Sequence, residues 1–405
     1  MGEPKSLVCR ECGGVYPAAR IYACEECFGP LDVTYDYDSL SLSKSSFSAR
    51  PKDLWRYFEL LPVKDESMIV NLGAGYTTLH RSKKLGRMLG LRNLFIKDDT
   101  VNPTYSFKDR PASVAVSKAL EFGAAAVGCA STGNLAGATA AHAAKAEVPC
   151  YIFVPRDIEA NKLLQIAVYG AQIIAVEGTY DDANRLAAQA ADQYKWALVN
   201  INIRPFYVEG SKTLAFEVCE QLDWSPPDRV IIPTASGAML GAITKGFAEF
   251  ERLGLIRDNN VKICSAQAKG CSPIVDAFKS KTEIKPVEKP ATLAKSIAIG
   301  DPADGHYVLK TVTESGGVAE AATDDEIVEG IELLARTEGI FTEPAGGVAI
   351  AVLKKLAERK DIDPDEKVVC YVTGNGLKTT EALDSRVPKP SAVTPRLEAL
   401  AQIVR

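Results

Sequence analysis

The sequence predicts an α/β protein: two parallel-sheet domains facing each other across a cleft, with a small metal-binding ribbon in front of them. Three observations carry this. From Asn93 onward, short apolar runs alternate with segments of helical spacing, the pattern of βαβ units whose sheets are covered on both faces. Those runs are too many for one comfortable sheet. Finally, four of the ten cysteines fall within the first 27 residues, as Cys9-x2-Cys12 and Cys24-x2-Cys27.

Two Cys-x2-Cys knuckles separated by 11 residues form a zinc-ribbon pattern, because each tight turn aims two thiolates at one ion. So short a segment lacks its own apolar core, and metal binding supplies the missing folding free energy. Four thiolates leave no open coordination position, which makes the expected Zn2+ structural. A pair of disulfides is the competing reading, disfavoured by an N-terminus without the apolar core of a secretion signal. The other six cysteines read as buried small hydrophobes.

Residues 34–92 have no strong period. Strands are then expected at Leu94–Ile96, Ala126–Ala130, Tyr151–Val154, Ile173–Val176, Ala197–Val199, Val230–Ile232, Ile263–Ala266 and Val368–Val372. Helical spacing appears between them, as in Ala183, Leu186 and Ala190. The tail from Ser385 carries three prolines and ends in a short helix expected over 397–404.

With 47 basic against 52 acidic residues the net charge is −5, which speaks against a nucleic-acid partner. No apolar stretch approaches a membrane span. Three histidines leave little room for imidazole-based chemistry, and His142, in a small-residue helix, reads as a core residue. A cytoplasmic enzyme acting on a small molecule is expected, with a homodimer as the default assembly. Neither a P-loop nor a Gly-x-Gly-x-x-Gly turn is present, so ATP or NAD bound in the common way is not expected.

Chemistry concentrates in loops that follow predicted strands, where open parallel sheets place ligands. In Asn102–Pro111, Pro111 fits the first position of a helix, which sets Lys108 just ahead of its N-terminus. Positive helix-end potential and burial both disfavour an ammonium there and favour a nucleophile or base. An ordinary surface lysine in a Lys-Asp-Arg turn is the alternative. Ser131-Thr132-Gly133-Asn134 enters a helix of small residues and offers either an anion cradle or a plain N-cap. Ala235-Ser236-Gly237-Ala238-Met239 repeats that arrangement, and Thr373–Lys378 adds a Gly-rich turn after the last strand. One lysine, two anion cradles and a Gly-rich turn suit a phosphorylated cofactor that forms a Schiff base.

In this order, these pieces resemble the fold-type-II enzymes of pyridoxal 5′-phosphate, most closely the threonine synthase family. The resemblance runs from the ribbon through Asn102–Arg110, Ser131–Asn134, Glu209–Thr213, Ala235–Met239 and Phe341–Gly347 to Thr373–Lys378. It implies two α/β domains: residues 34–92 plus 206–384 as the large cofactor domain and 93–205 as the small one, flanked by the ribbon at 1–33 and a tail at 385–405. Lys108 would carry the pyridoxal phosphate and shuttle protons. Asn134 would bond the ring's phenolic oxygen, Ala235–Met239 would hold the phosphate, and Thr373 would face the pyridine nitrogen. Ser131, Thr132 and Gly133 would take the substrate carboxylate. Ser106, Arg110 and Lys97 are the candidates for the substrate phosphate, joined by Asn200 and Arg204 in a stretch altered from the relatives' pattern, where Tyr207 stands near their arginine.

The implied reaction converts O-phospho-L-homoserine and water to L-threonine and phosphate. A serine/threonine ammonia-lyase or a β-replacement synthase of the same fold is the nearest rival. A zinc-ribbon binding protein on an inactive scaffold is the rival of another class.

Overall fold

The computed structural model describes residues 4–156, 160–401 and 403–404. Strands β1 (Pro4–Cys9), β2 (Val15–Tyr16) and β3 (Leu31–Tyr35) form an antiparallel sheet in the order β2-β1-β3. Leu7, Leu31 and Val33 bury one face of this ribbon against the apolar cluster beneath it. The stretch expected to lack a period has only short 3-10 turns, the helix Lys83–Leu89 and an edge strand, β4 (Leu79–Arg81).

The next strand, β5 (Asn93–Asp98), lies between β4 and the last strand of the chain in a six-stranded sheet. Four parallel strands follow as a separate sheet: β6 (Val127–Ala130), β7 (Cys150–Pro155), β8 (Gln172–Val176) and β9 (Ala197–Leu198), in the order β8-β7-β6-β9. The chain then returns to complete the large sheet with β10 (Arg229–Pro233), β11 (Lys262–Ala268), β12 (Ala319–Ala322) and β13 (Lys367–Val372). Its order is β12-β11-β10-β13-β5-β4, parallel throughout except for β4.

Alternation along β13 shows why this sheet is buried on both sides. Val368, Cys370 and Val372 face the helix Pro344–Glu358, while Val369 and Tyr371 face the helices Thr213–Gln221 and Ala238–Arg252. Burial on both faces selects the near-continuous apolar runs seen in the sequence. β12 escaped that reading because Ala-Glu-Ala-Ala has little strand propensity and is placed by its pairing with β11. The expected tail helix is present over Leu397–Ala401, and position 402 lies outside the described residues.

The expected domain limits need correction. β5 pairs with β13 from Asn93 to Asp98 and so belongs to the large sheet. The following helix, Asp109–Glu121, sends Ala115, Val116 and Ala119 into the core of the small sheet. The chain therefore crosses between the two cores at Lys108, not at residue 93. It crosses back after Tyr207, since Phe206 and Tyr207 still pack on the small side and Leu214 packs on the large.

Beneath that crossing lies an ionic network that removes two residues from the expected substrate site. Arg110 is fully buried; its Nε donates to Asp99 Oδ2 at 2.6 Å and its Nη2 to Glu217 Oε2 at 2.8 Å. Lys97, equally buried, donates to Glu217 Oε2 at 2.6 Å and to the Thr77 carbonyl at 2.7 Å. Two cations and two carboxylates thus pair with one another in the protein interior. Arg110 and Lys97 are consequently not ligands of a substrate phosphate.

Despite its burial, Glu217 is pulled down to about 2 by Arg110 and Lys97. A depressed carboxylate contributes stability above its unfolded value near 4.5, and that contribution is lost as pH falls toward 2. Glu217→Gln leaves two buried cations facing only Asp99, so it costs about 3–5 kcal/mol in chemical denaturation at neutral pH. The variant also loses the part of the wild-type acid sensitivity that belongs to this group.

Candidate active site

Four loops follow the carboxyl ends of parallel strands β5, β6, β10 and β13. The lysine loop follows β5 and is tied to the loop after β13. Phe107 N–H donates to the Thr373 carbonyl at 2.8 Å, and Asn375 N–H donates to the Tyr105 carbonyl at 3.0 Å. Thr373 is thereby buried beside the residue that precedes Lys108.

The helix after Lys108 begins at Asp109, so Pro111 stands inside the first turn, where a missing N–H is tolerated. Asp109 closes the loop by accepting from Thr104 N at 2.7 Å and Thr104 Oγ1 at 2.9 Å. Burial nevertheless pushes its carboxyl up to about 6. Ser106 is fully buried and its hydroxyl accepts from Lys108 N–H at 3.1 Å, so it shapes the loop and is withdrawn as a substrate ligand.

Lys108 Nζ reaches the Tyr207 hydroxyl at 3.0 Å and lies 4.7 Å from the centre of the Phe107 ring. Among the described residues it forms no ion pair, which leaves its amine available in a half-buried, aromatic-flanked position. That fits a lysine reserved for a carbonyl group.

Asn134 starts the helix Asn134–Lys145. Its Nδ2 donates to Glu343 at 3.0 and 2.9 Å, joining the small side of the cleft to the large. Burial raises the Glu343 carboxyl, opposed by the Asn134 hydrogen bond and by the Lys378 and Lys108 charges. A Cβ on Gly374 would lie 2.4 Å from Glu343 Oε1, so only glycine lets the β13 loop pass this carboxylate. Lys378 Nζ donates to the Thr104 carbonyl at 2.8 Å, and burial lowers its pKa. Glu343, Lys378 and Tyr207 belong to the site, although the sequence assigned them no role. The signal for Glu343 and Lys378 lay in the matching stretches Phe341–Gly347 and Thr373–Lys378, whereas Tyr207 lay in the altered stretch around Arg204.

Both loops expected to hold anions lead into helices. Ala235–Met239 leads into the 15-residue helix Ala238–Arg252, and Gly237 adopts φ +104°, open to glycine at little cost. Among the described residues, the backbone N–H groups of Ala235, Ser236, Gly237, Ala238 and Met239 donate to no protein acceptor. Unpaired donors at a helix N-terminus are suited to a phosphate. The N–H groups of Thr132 and Asn134 are likewise without a protein acceptor, and Ser131 and Gly133 flank them at the end of β6.

Asn200 Nδ2 points to the Ala130 carbonyl at 3.5 Å, while its buried Oδ1 has no partner. Arg204 is engaged elsewhere: its guanidinium pairs with Asp304 at 2.5 Å, which corrects its expected place at the substrate phosphate. His142 is fully buried, its Nδ1 is 2.9 Å from the Ala138 carbonyl, and burial pushes it down to about 4, as suits a core residue.

In the ribbon, the four thiols of Cys9, Cys12, Cys24 and Cys27 lie within 4.8 Å of one another. The Cys9–Cys27 and Cys12–Cys24 sulfur separations are both 3.5 Å. Zinc–sulfur bonds of ~2.3 Å in a tetrahedron separate sulfurs by about 3.8 Å, so the cluster fits one ion. Disulfides would need ~2.05 Å. The remaining six cysteines are buried free thiols, and burial pushes Cys129 up to about 12.

A lysine free of ion pairs among the described residues, at the passage between two α/β cores, with free backbone N–H groups at two helix starts, is an arrangement suited to a pyridoxal-phosphate enzyme. Residues 70–374 match the family described as Pyridoxal-phosphate dependent enzyme. The fold agrees. A threonine deaminase of Solanum lycopersicum superposes with a TM-score of 0.64 at 21% identity, over 76% of this chain and 82% of that one. Maize serine racemase does so with a TM-score of 0.62 at 21% identity, over 76% and 91%.

Curated relatives narrow the assignment. The chain is 44% identical to a threonine synthase of Methanocaldococcus jannaschii over 402 residues, 98% of each chain. It is 39% identical to a threonine synthase of Methanosarcina acetivorans over 401 residues, again 98% of each. The chain belongs to the threonine synthase family of pyridoxal-phosphate-dependent lyases.

Proposed function

We propose that this chain converts O-phospho-L-homoserine and water to L-threonine and phosphate, with Lys108 as the residue that carries pyridoxal phosphate and moves the protons. The observation that supports it most is the Lys108 amine, half-buried and in no ion pair among the described residues, at the point where the chain passes from one core to the other. Ala235–Met239 would hold the cofactor phosphate, and Asn134 and Thr373 would serve its phenolic oxygen and pyridine nitrogen. When bound, the cofactor supplies an electron sink for the carbanions that a γ-elimination and β-addition require.

Around it, each residue has a separate task. Ser131, Thr132 and Gly133 receive the substrate carboxylate through hydroxyls and a helix N-terminus. Lys108 would take the Cα proton and return protons later in the sequence. A neutral hydroxyl at Thr373 does not hold the pyridine nitrogen protonated, which tempers the sink and restrains side reactions. Asn200 remains the candidate for the substrate's phosphate end, since its Nδ2 carries a second N–H besides the one directed at the Ala130 carbonyl.

We read the ribbon as a structural Zn2+ site held by Cys9, Cys12, Cys24 and Cys27. Among the described residues no helix is long and apolar enough to cross a membrane. A cytoplasmic homodimer acting on a small molecule, with no nucleic-acid partner, completes the reading.

Incubation with O-phosphohomoserine is expected to release phosphate and threonine in equal amounts. Keto acid and ammonia formed from threonine, with no phosphate released from the ester, would instead identify an ammonia-lyase. Lys108→Ala should lower turnover by about 10²–10⁴-fold or more. Full activity in that variant rejects the lysine assignment. Metal analysis of the purified chain should find about one zinc per chain, lost on Cys12→Ser. A metal-free wild-type ribbon that stays folded removes the zinc reading.

A further inference from the structure

The knuckle that separates Cys9 from Cys12 points into the enzyme. Its Arg10 guanidinium lies 3.6 Å over the Tyr307 ring and reaches Asp304 Oδ1 at 3.4 Å. The adjacent Glu11 accepts from the Tyr307 hydroxyl and lies 3.1 Å from His306 Nε2. All three partners stand at the start of the helix Gly305–Glu314 or cap it.

That helix start supports the loop assigned to the cofactor phosphate. Asp304 N–H donates to the Ser236 carbonyl at 2.9 Å, which fixes the peptide in the middle of the cradle. Packing is equally close: a Cβ on Gly237 would lie 2.6 Å from Val308 Cγ2 and 2.9 Å from Asp304 Cβ. The Asp304 carboxylate is nearly buried, with 5% of its side chain exposed, and its second oxygen pairs with Arg204 at 2.5 Å. Two guanidiniums from different parts of the chain thus meet one carboxylate behind the cradle.

A carboxylate in that place opposes a phosphate unless it is neutralised, because like charges at short range in a poorly solvated site repel strongly. Arg10 and Arg204 provide the neutralisation, and each adds a charge-assisted hydrogen bond that holds Asp304 against Ser236. We propose that the ribbon, through Arg10, neutralises and seats Asp304 behind the Ala235–Met239 loop and so sets the enzyme's affinity for the phosphate of its cofactor. Arg10 is a positioning residue in this scheme; it touches neither cofactor nor substrate. The proposal rests on the reading of Ala235–Met239 as the phosphate cradle.

Binding of pyridoxal phosphate and of pyridoxal, which lacks the phosphate, separates this role from a merely structural one. Dissociation constants for both are measured by absorbance titration of cofactor-free wild-type enzyme and of Arg10→Ala. The variant should bind pyridoxal phosphate about tenfold or more weakly, with pyridoxal unchanged. Unchanged affinity for pyridoxal phosphate, or an equal loss for both compounds, overturns the proposal. Adding Asp304→Asn to Arg10→Ala removes the unneutralised charge and should recover most of the phosphate-dependent affinity; no recovery also overturns it. Should Arg10→Ala disturb the neighbouring cysteines, Arg204→Ala, outside the ribbon, carries the same expectation and the same refutation. A wild-type enzyme that does not distinguish the two compounds points instead to failure of the cradle assignment itself.

Discussion

The pairing of β5 with β13 is the constraint from which the rest of the site follows. Six residue pairs hold these strands parallel from Asn93–Lys367 to Asp98–Val372. The backbone bonds between 105–107 and 373–375 continue that pairing past the strand ends. Lys108 therefore emerges next to Thr373 whatever its own side chain does. Because the helix after it packs on the other core, the lysine stands on the line where the two halves of the enzyme meet.

The neighbouring parts hold that line in place by different physics. On the large side, Arg110, Lys97, Asp99 and Glu217 form a closed set of charges that gains little net stability but penalises any rearrangement that unpairs one of them. On the small side, Ala115, Ala136 and Ala140 allow close helix packing, which brings the Asn134 helix start toward the cleft. Asn134 and Glu343 then bridge the two sides directly. The ribbon adds a third body, packed against the small core and bonded to the helix behind the Ala235–Met239 loop.

Much of this was legible in the sequence where local chemistry decides. Apolar runs such as Val230–Ile232 and Val368–Val372 announced buried parallel strands, and the cysteine spacing announced the cluster that the structure brings together. The helix starts at Asn134 and Ala238 were legible because small residues precede each of them. Arg110, Lys97 and Arg204 were misread because a cation in the sequence does not reveal its partner. Their carboxylates lie more than ten residues away, at Asp99, Glu217 and Asp304, and only the fold brings them together. The boundary at Lys108 was missed for a similar reason, since strand and helix signals do not say which sheet a strand joins. Glu343 and Tyr207 were hidden because a buried carboxylate and a phenol resemble a helix cap and a core aromatic until their neighbours are known.

The central claim concerns one nitrogen, so the most direct measurement is to find where the cofactor is attached. Borohydride reduction of the holoenzyme, followed by digestion and mass spectrometry, locates the resulting pyridoxyl group on a single peptide. The account predicts that group on Lys108. A label on Lys378 or any other lysine, or a reduced protein that carries none, would contradict it.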